Sequence, residues 1–237
     1  MLRISIDGAC RRNGKPDCVS AGGVFIQTYT GQELISNHTI SEYELNSTSQ
    51  RGEILALLTA LRYIKVAMKH LGIQMCETQI ITDSEYLFNT MNKEWVYSWS
   101  QKGWITSTGE PVKNRDLWEQ ILAEHSYCTS QGIEITFYHI KGHVIPFGKV
   151  TASTLLRADA SGGKLLKALY DKYDATLDNI TESRLLLLDK ANTLSLKNNG
   201  FELTPKLLRD FVVNNTMADI IATECVEAAD TLMQHMK

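Results

Sequence analysis

Thr78-Gln79-Ile80-Ile81-Thr82-Asp83-Ser84 is the stretch on which the fold turns. Its β-branched residues suit a short buried strand. It ends in an acid and then a serine placed to cap a helix through about Met91. Upstream, Arg3–Asp7 alternates like a strand, and Gly22–Tyr29 and Glu33–Ile40 flank a Tyr29–Gln32 turn that contains Gly31. Those three runs predict an antiparallel meander. From Arg51 to about Leu71 the apolar residues Ile54, Leu55, Leu58, Leu61, Ile64, Ala67 and Met68 fall at helical spacing, with Thr48 or Ser49 as cap. Asn114–Gln131 is another amphipathic helix, and Ile133–His139 reads as a fifth strand. Two strands joined through helices predict parallel additions to the meander. The expected class is α/β, a mixed five-stranded sheet flanked by helices.

After Gly142-His143 the texture changes. Residues 144–213 read as a helical insertion, with stretches at Ser153–Leu177 and Thr181–Leu196 and a short third helix announced by Thr204-Pro205. Gly162-Gly163 and Asn198-Asn199-Gly200 break the run. A last amphipathic helix is expected at about Asn215–Gln234. Residues 1–143 and 214–237 would then form one domain interrupted by the insertion. With 43% hydrophobic and 22% charged residues, the chain has an ordinary globular composition. No apolar run approaches the ~20 residues of a membrane span, and no membrane partner is expected. The N-terminus enters a strand without the basic, apolar and small-residue sections of a leader, which predicts a cytoplasmic protein. Cys10, Cys18, Cys76, Cys128 and Cys225 form no C-x-x-C pair, so reduced thiols are expected. The net charge of −3 means that any surface gripping a polyanion must be locally basic. Arg11, Arg12 and Lys15, and farther on Lys102, Lys113 and Arg115, are the local basic groups.

Three acids carry the chemistry. Asp7 ends the first predicted strand, Glu53 lies in the first turn of the long helix, and Asp83 ends the fourth strand. If the first and fourth strands are parallel neighbours, Asp7 and Asp83 lie about 5 Å apart, and the helix can bring Glu53 over the same edge. Carboxylates so close repel one another unless a cation neutralises them, and hard oxygen ligands suit magnesium or manganese. Singly, each acid is more often a turn residue, a cap or an answer to the helix dipole.

Their order and surroundings resemble one family. Asp7-Gly8-Ala9-Cys10, Thr48-Ser49-Gln50-Arg51-Gly52-Glu53, Thr82-Asp83-Ser84-Glu85 and Ile140-Lys141-Gly142-His143 are similar to successive motifs of type 1 ribonuclease H. Trp95-Val96-Tyr97-Ser98-Trp99, Gly103-Trp104 and Pro111 to Trp118 resemble the substrate-gripping protrusion of its bacterial members. The resemblance covers roughly residues 1–143 and implies the ribonuclease H-like fold and hydrolysis of the RNA strand of an RNA–DNA hybrid. It implies a pair of divalent ions, magnesium with manganese as substitute, held by Asp7, Glu53, Asp83 and a fourth acid. It also implies 5′-phosphate and 3′-hydroxyl products, with His143 shuttling protons and assisting product release.

The fourth acid departs from the family spacing. Asp219 follows Asn215 by four residues ahead of an apolar helix, as in the family pattern; Asp159 lies closer to His143 but lacks that Asn. By the same resemblance, the backbone around Gly8, Ala9 and Cys10 would read the RNA 2′-hydroxyl together with Ser49, Gln50 and Glu85. Thr48 would hold a phosphate, Trp95 would pack on a sugar, and Lys113 and Asn215 would complete the binding set. Ser49 and Gln50 stand where the bacterial family usually has Asn. Another nuclease of the same fold, such as a junction resolvase or an exonuclease, and a non-catalytic hybrid-binding module are the competing readings. The insertion would then be a candidate surface for a replication partner.

Overall fold

Leu2, Ile4 and Ile6 alternate with Arg3, Ser5 and Asp7 in the first strand, both sets are buried, and this strand is the centre of the sheet. The computed structural model describes residues 1–71, 77–143, 167–174 and 204–235. The elements are β1 (Leu2–Arg11), β2 (Val19–Thr30), β3 (Glu33–Leu45), α1 (Ser49–Leu71), β4 (Thr78–Thr82), α2 (Glu85–Asn92), α3 (Trp95–Gln101), α4 (Arg115–Ser130), β5 (Ile135–His139) and α5 (Pro205–His235). The strands are ordered β3-β2-β1-β4-β5. β1 to β3 are antiparallel, while β4 lies parallel to β1 and β5 parallel to β4. This is the mixed five-stranded sheet expected from the sequence.

β1 is longer than its alternation suggests. It pairs with β2 from Leu2↔Thr28 to Arg11↔Val19, but with β4 only from Leu2↔Thr78 to Ser5↔Ile81. Asp7 therefore does not end the strand. It sits where β4 has stopped and β1 runs on with one neighbour, beside the crevice where open α/β sheets place their sites.

Consecutive strand residues face opposite sides of a sheet, and Gly22-Gly23 of β2 use this to admit a helix on each side. A Cβ on Gly22 would collide with the backbone of Ala56 in α1, and one on Gly23 with the backbone of Ala218 and Ala222 in α5. Ile4, Ile6, Val24, Ile26 and Ile80 pack with Ile54, Leu57, Leu58 and Leu61 of α1 and Trp118 and Ile121 of α4. On the other face Phe25, Ile81 and Tyr138 pack with Phe211, Val213, Met217 and Ile221 of α5.

Part of the expected insertion belongs to that second face. Residues 167–174 are helical, with Leu169 and Tyr173 buried against the same cluster. Tyr170 donates its hydroxyl to Asp210 Oδ1 at 2.9 Å, and Asp210 Oδ2 pairs with the buried Arg3 at 3.3 Å. The rest of Ser153–Leu177 and all of Thr181–Leu196 lie outside the described residues.

The two helices expected at Pro205 and Asn215 are one 31-residue helix, so the 213/214 division falls inside it. Thr204 caps it as read, its Oγ1 accepting the Leu207 N–H at 3.2 Å. Asn214, Asn215 and Thr216, where the last helix was expected to begin, are weak helix formers. A tertiary contact opposes that preference: Asn214 donates to Gln27 Oε1 of β2 at 2.6 Å, while Thr216 Oγ1 bonds back within the helix to the Val212 carbonyl at 2.8 Å. No helix among the described residues is long and apolar enough to cross a membrane.

Candidate active site

The crevice left by the early end of β4 gathers three acids. Asp7 projects from β1, Glu53 from α1, and Asp83 directly follows β4; one carboxylate oxygen from each lies within 4.8 Å of the others. Glycines make the convergence sterically possible. A Cβ on Gly8 would collide with the Gly52–Glu53 backbone, so β1 and α1 touch where Glu53 leaves the helix. Gly142 stands against Asp83 in the same way, since a Cβ there would overlap its carboxylate. The Asp83 main chain is held by the ring of His139, whose Nε2 lies 3.1 Å from the Asp83 carbonyl oxygen. That acceptor requires Nε2 to carry the proton.

The acids are poorly satisfied. Asp7 Oδ1 accepts the Gly8 N–H at 2.7 Å, but Asp7 Oδ2 and Glu53 Oε2 are buried without a donor among the described residues. Burial pushes the Asp7 carboxyl well above its ordinary range, and the charges of Glu53, Asp83 and Asp219 push it further. Glu53 rises from 4.5 to about 8, from burial and then the Asp83 charge. Asp83 is also raised by burial, an effect opposed by His143. Buried carboxylate oxygens without donors, massed in one crevice, fit a divalent cation bound through oxygen ligands.

Asp219 stands at the edge of this group. It is not in the three-acid cluster, but its charge raises both Asp7 and Glu53. Its Oδ2 lies 3.5 Å from Nδ1 of His143, whose side chain is 77% exposed on a backbone with φ of +54°. Asn215 lies one helical turn before Asp219, buried, with Oδ1 unpartnered among the described residues. The alternative fourth acid, Asp159, lies outside the described residues.

Glu53 sits just past the first turn of α1 rather than in it. Of the two caps offered by the sequence, Thr48 is used: its Oγ1 accepts the Arg51 N–H at 3.3 Å. Ser49 is in the helix and exchanges hydrogen bonds with Asn13, and Gln50 Oε1 accepts from Asn114 at 3.2 Å. Ser84 occupies the cap position of α2 without a side-chain cap bond. Glu85 follows it and accepts from Asn89 at 3.5 Å. Gly8, Ala9 and Cys10 lie on the part of β1 beyond β4. Trp95 is 37% exposed, with Lys93 5.4 Å from its ring centre, and Lys113 is exposed beside Asn114. Trp104 and Trp118 are buried, and Trp99 packs edge-on against Trp118.

One expectation about charge is corrected. Arg11 and Arg12 were read as local positive charge for a polyanion, but both pair with Asp230 of α5. Arg11 Nε lies 3.3 Å from Asp230 Oδ2, and Arg12 also binds Asp17 at 2.9 Å. Sequence reasoning missed Asn13, Asn114 and His139. Asn13-Gly14 and an Asn ahead of a helix are visible turn and cap signals, whereas a polar residue closing a strand carries none.

The RNase H family model matches residues 2–155. The ribonuclease H of Rickettsia felis is 35% identical over 153 residues, covering 64% of this chain and 86% of that protein. That of Chromohalobacter salexigens is 35% identical over 160 residues, covering 67% and 84%. Among solved structures, a type 1 ribonuclease H with the type 2 active-site motif aligns at a TM-score of 0.48 and 21% identity, over 68% of this chain and 72% of that one. The ribonuclease H domain of prototype foamy virus aligns at 0.45 and 25%, over 68% and 90%.

Proposed function

The chain belongs to the ribonuclease H family and is an enzyme of that class, and from this premise we propose that it is an endonuclease cutting the RNA strand of RNA–DNA hybrids with two divalent ions. The cut would leave 5′-phosphate and 3′-hydroxyl ends. The observation that carries this reading is the convergence of Asp7, Glu53 and Asp83 with two buried carboxylate oxygens that have no donor among the described residues.

Asp7, Glu53, Asp83 and Asp219 would hold magnesium, or manganese in its place. When bound, the ions supply the charge that activates water and stabilises the departing 3′ oxygen. The acids act as ionised ligands, so binding must displace the protons that burial favours on Asp7 and Glu53. His143, exposed on its glycine-preceded loop with Nδ1 beside Asp219, would shuttle protons and assist release of the cut strand. Asn215, buried one turn before Asp219 with its Oδ1 unpartnered among the described residues, would belong to the substrate-binding set.

RNA is told from DNA by its 2′-hydroxyl, read by the backbone of Gly8, Ala9 and Cys10 with Ser49, Gln50 and Glu85. The Asn13–Ser49 and Asn114–Gln50 pairs fix those side chains before the hybrid arrives. The Thr48 oxygen is committed as a cap acceptor, which leaves its O–H to donate to a phosphate. Trp95 offers an exposed face to a sugar, and Lys113 a charge to the backbone. The replication partner considered for the insertion finds no support in the comparisons.

A cleavage panel of hybrid, duplex DNA, duplex RNA and branched DNA, run with magnesium, tests the reading. Hybrid cleavage that Asp7→Asn lowers by at least about 100-fold is expected. Preference for branched or duplex DNA would move the protein to another nuclease class. Hybrid binding with no cleavage sensitive to Asp7 would make it a binding module.

A further inference from the structure

Cys10 and Cys18 are not used by the chemistry above, yet their sulfurs lie 2.7 Å apart, inside the contact distance of two non-bonded sulfurs. Cys10 is the penultimate residue of β1, and Cys18 immediately precedes β2. Cys10 pairs in register with Ser20, so the two cysteines are diagonal neighbours at the base of the turn that joins the strands. Cys10 shares its face with Gly8, and Cys18 with Ser20, since each is two residues away. Both faces look toward α1: a Cβ on Gly8 meets Glu53, and Ser20 donates to Ser47 at 2.7 Å just before that helix. Cys18 is fully buried and Cys10 partly so.

We propose that Cys10 and Cys18 are an oxidative modification site, forming a reversible disulfide across the base of the residue 11–17 turn. The oxidant is a low-molecular-weight disulfide. The Cys10 thiolate, on the more accessible sulfur, attacks the oxidant's S–S bond and expels one thiolate, leaving a mixed disulfide. The Cys18 thiolate then attacks Cys10 Sγ and expels the second. Two protein thiols are oxidised, the small disulfide is reduced to two thiols, and the two protons pass to the released thiolates. The second step is intramolecular between sulfurs already in contact, so the mixed disulfide does not accumulate.

Burial and the neighbouring Cys18 thiol push the Cys10 thiol up to about 12. Thiolate is therefore scarce at neutral pH, and oxidation is slow and speeds up as pH rises. The closed turn carries Asn13, which holds Ser49, and Arg11 and Arg12, which hold Asp230. Locking it pre-orders a substrate-facing edge. On the proposed function, hybrid affinity then tightens by about threefold.

The test uses the full chain, fully reduced and then incubated with oxidised glutathione at pH 8.5. Free thiols are alkylated and peptides are mapped without reduction. A Cys10–Cys18 linked peptide is expected, with Cys128 and Cys225 alkylated, and Tm rises by about 5 °C. In Cys18→Ala, Cys10 stops at the glutathione adduct and Tm no longer responds to oxidant. Alkylation of both cysteines in the wild type, or glutathione retained on Cys10 there, overturns the site. These readouts need no nuclease activity, so their failure is distinct from failure of the ribonuclease reading. A linked peptide with unchanged hybrid affinity overturns only the coupling to substrate.

Discussion

Glu53→Gln should make the metal-free protein more stable at neutral pH, although it removes a residue from the heart of the site. The Glu53 carboxyl rises from 4.5 to about 8 on folding, chiefly through burial. A carboxyl whose folded pKa lies above its unfolded one takes up a proton on folding, so its effect on stability is neutral below pH 4.5 and increasingly unfavourable toward pH 8. At pH 7.5 three units separate the solution from the unfolded value, and at about 1.4 kcal/mol each they set a ceiling of about 4 kcal/mol. Relief shared with Asp7 and Asp83, and water entering the crevice, reduce this to about 2 kcal/mol, or roughly 5 °C in Tm for a chain of this size. Calorimetry in EDTA at pH 7.5 and pH 4 reads the difference. The variant should melt higher at pH 7.5 and level with the wild type at pH 4. Saturating manganese should reverse the order, because ligand binding stabilises only the chain with its full acid set. A variant no more stable than the wild type in EDTA at pH 7.5, or a gap that persists at pH 4, would refute the reasoning.

Gly142→Ala places a Cβ on the Asp83 carboxylate and should weaken manganese binding by about tenfold in calorimetric titration, with Tm nearly unchanged. An unaltered affinity would show that the carboxylate has room to turn. His139→Phe keeps a ring beside Phe88 but loses the N–H to the Asp83 carbonyl. Manganese affinity should fall by about tenfold while hybrid affinity in calcium holds; equal losses in both would indicate general damage. Leu169→Ala should cost about 3 kcal/mol by urea denaturation, since Leu169 is fully buried against the second face of the sheet. A loss under about 0.5 kcal/mol would show that residues 167–174 are not part of the core.

Periodicity, with β-branched composition for the fully buried β4, located the described strands and nearly every described helix, because both are local signals. It could not place their ends. β1 runs four residues past Asp7 because β2 pairs with it, and that pairing is non-local. The last helix was expected to start at about Asn215 rather than Pro205 because the bond from Asn214 to Gln27, on a distant strand, is not visible in the local sequence. The three acids were legible through the motifs around them. The ion pairs that remove Arg11 and Arg12 from the polyanion surface were not, since Asp230 lies more than 200 positions away. Leu169 and Tyr173 were readable as helix but not as cover for Tyr138 and Phe211.

The crevice and the electrostatic burden of the site have one origin. If β4 ran three residues further, Asp83 would lie inside a strand that covered the edge of β1 at Asp7, and the open crevice beside the two acids would be closed. Because β4 stops at Thr82 while β1 continues to Arg11, two acids on neighbouring strands share an open edge, and Gly8 lets α1 press Glu53 onto it. The same closeness desolvates the carboxylates and drives their proton affinity upward. A fold that had only to be stable would separate or pair them, as it pairs Asp230 with two arginines and Asp210 with Arg3. Here Asp7 Oδ2 and Glu53 Oε2 lie buried with no donor among the described residues, which leaves their negative charge to be met by something that binds from outside, and that is the physical content of a metal site.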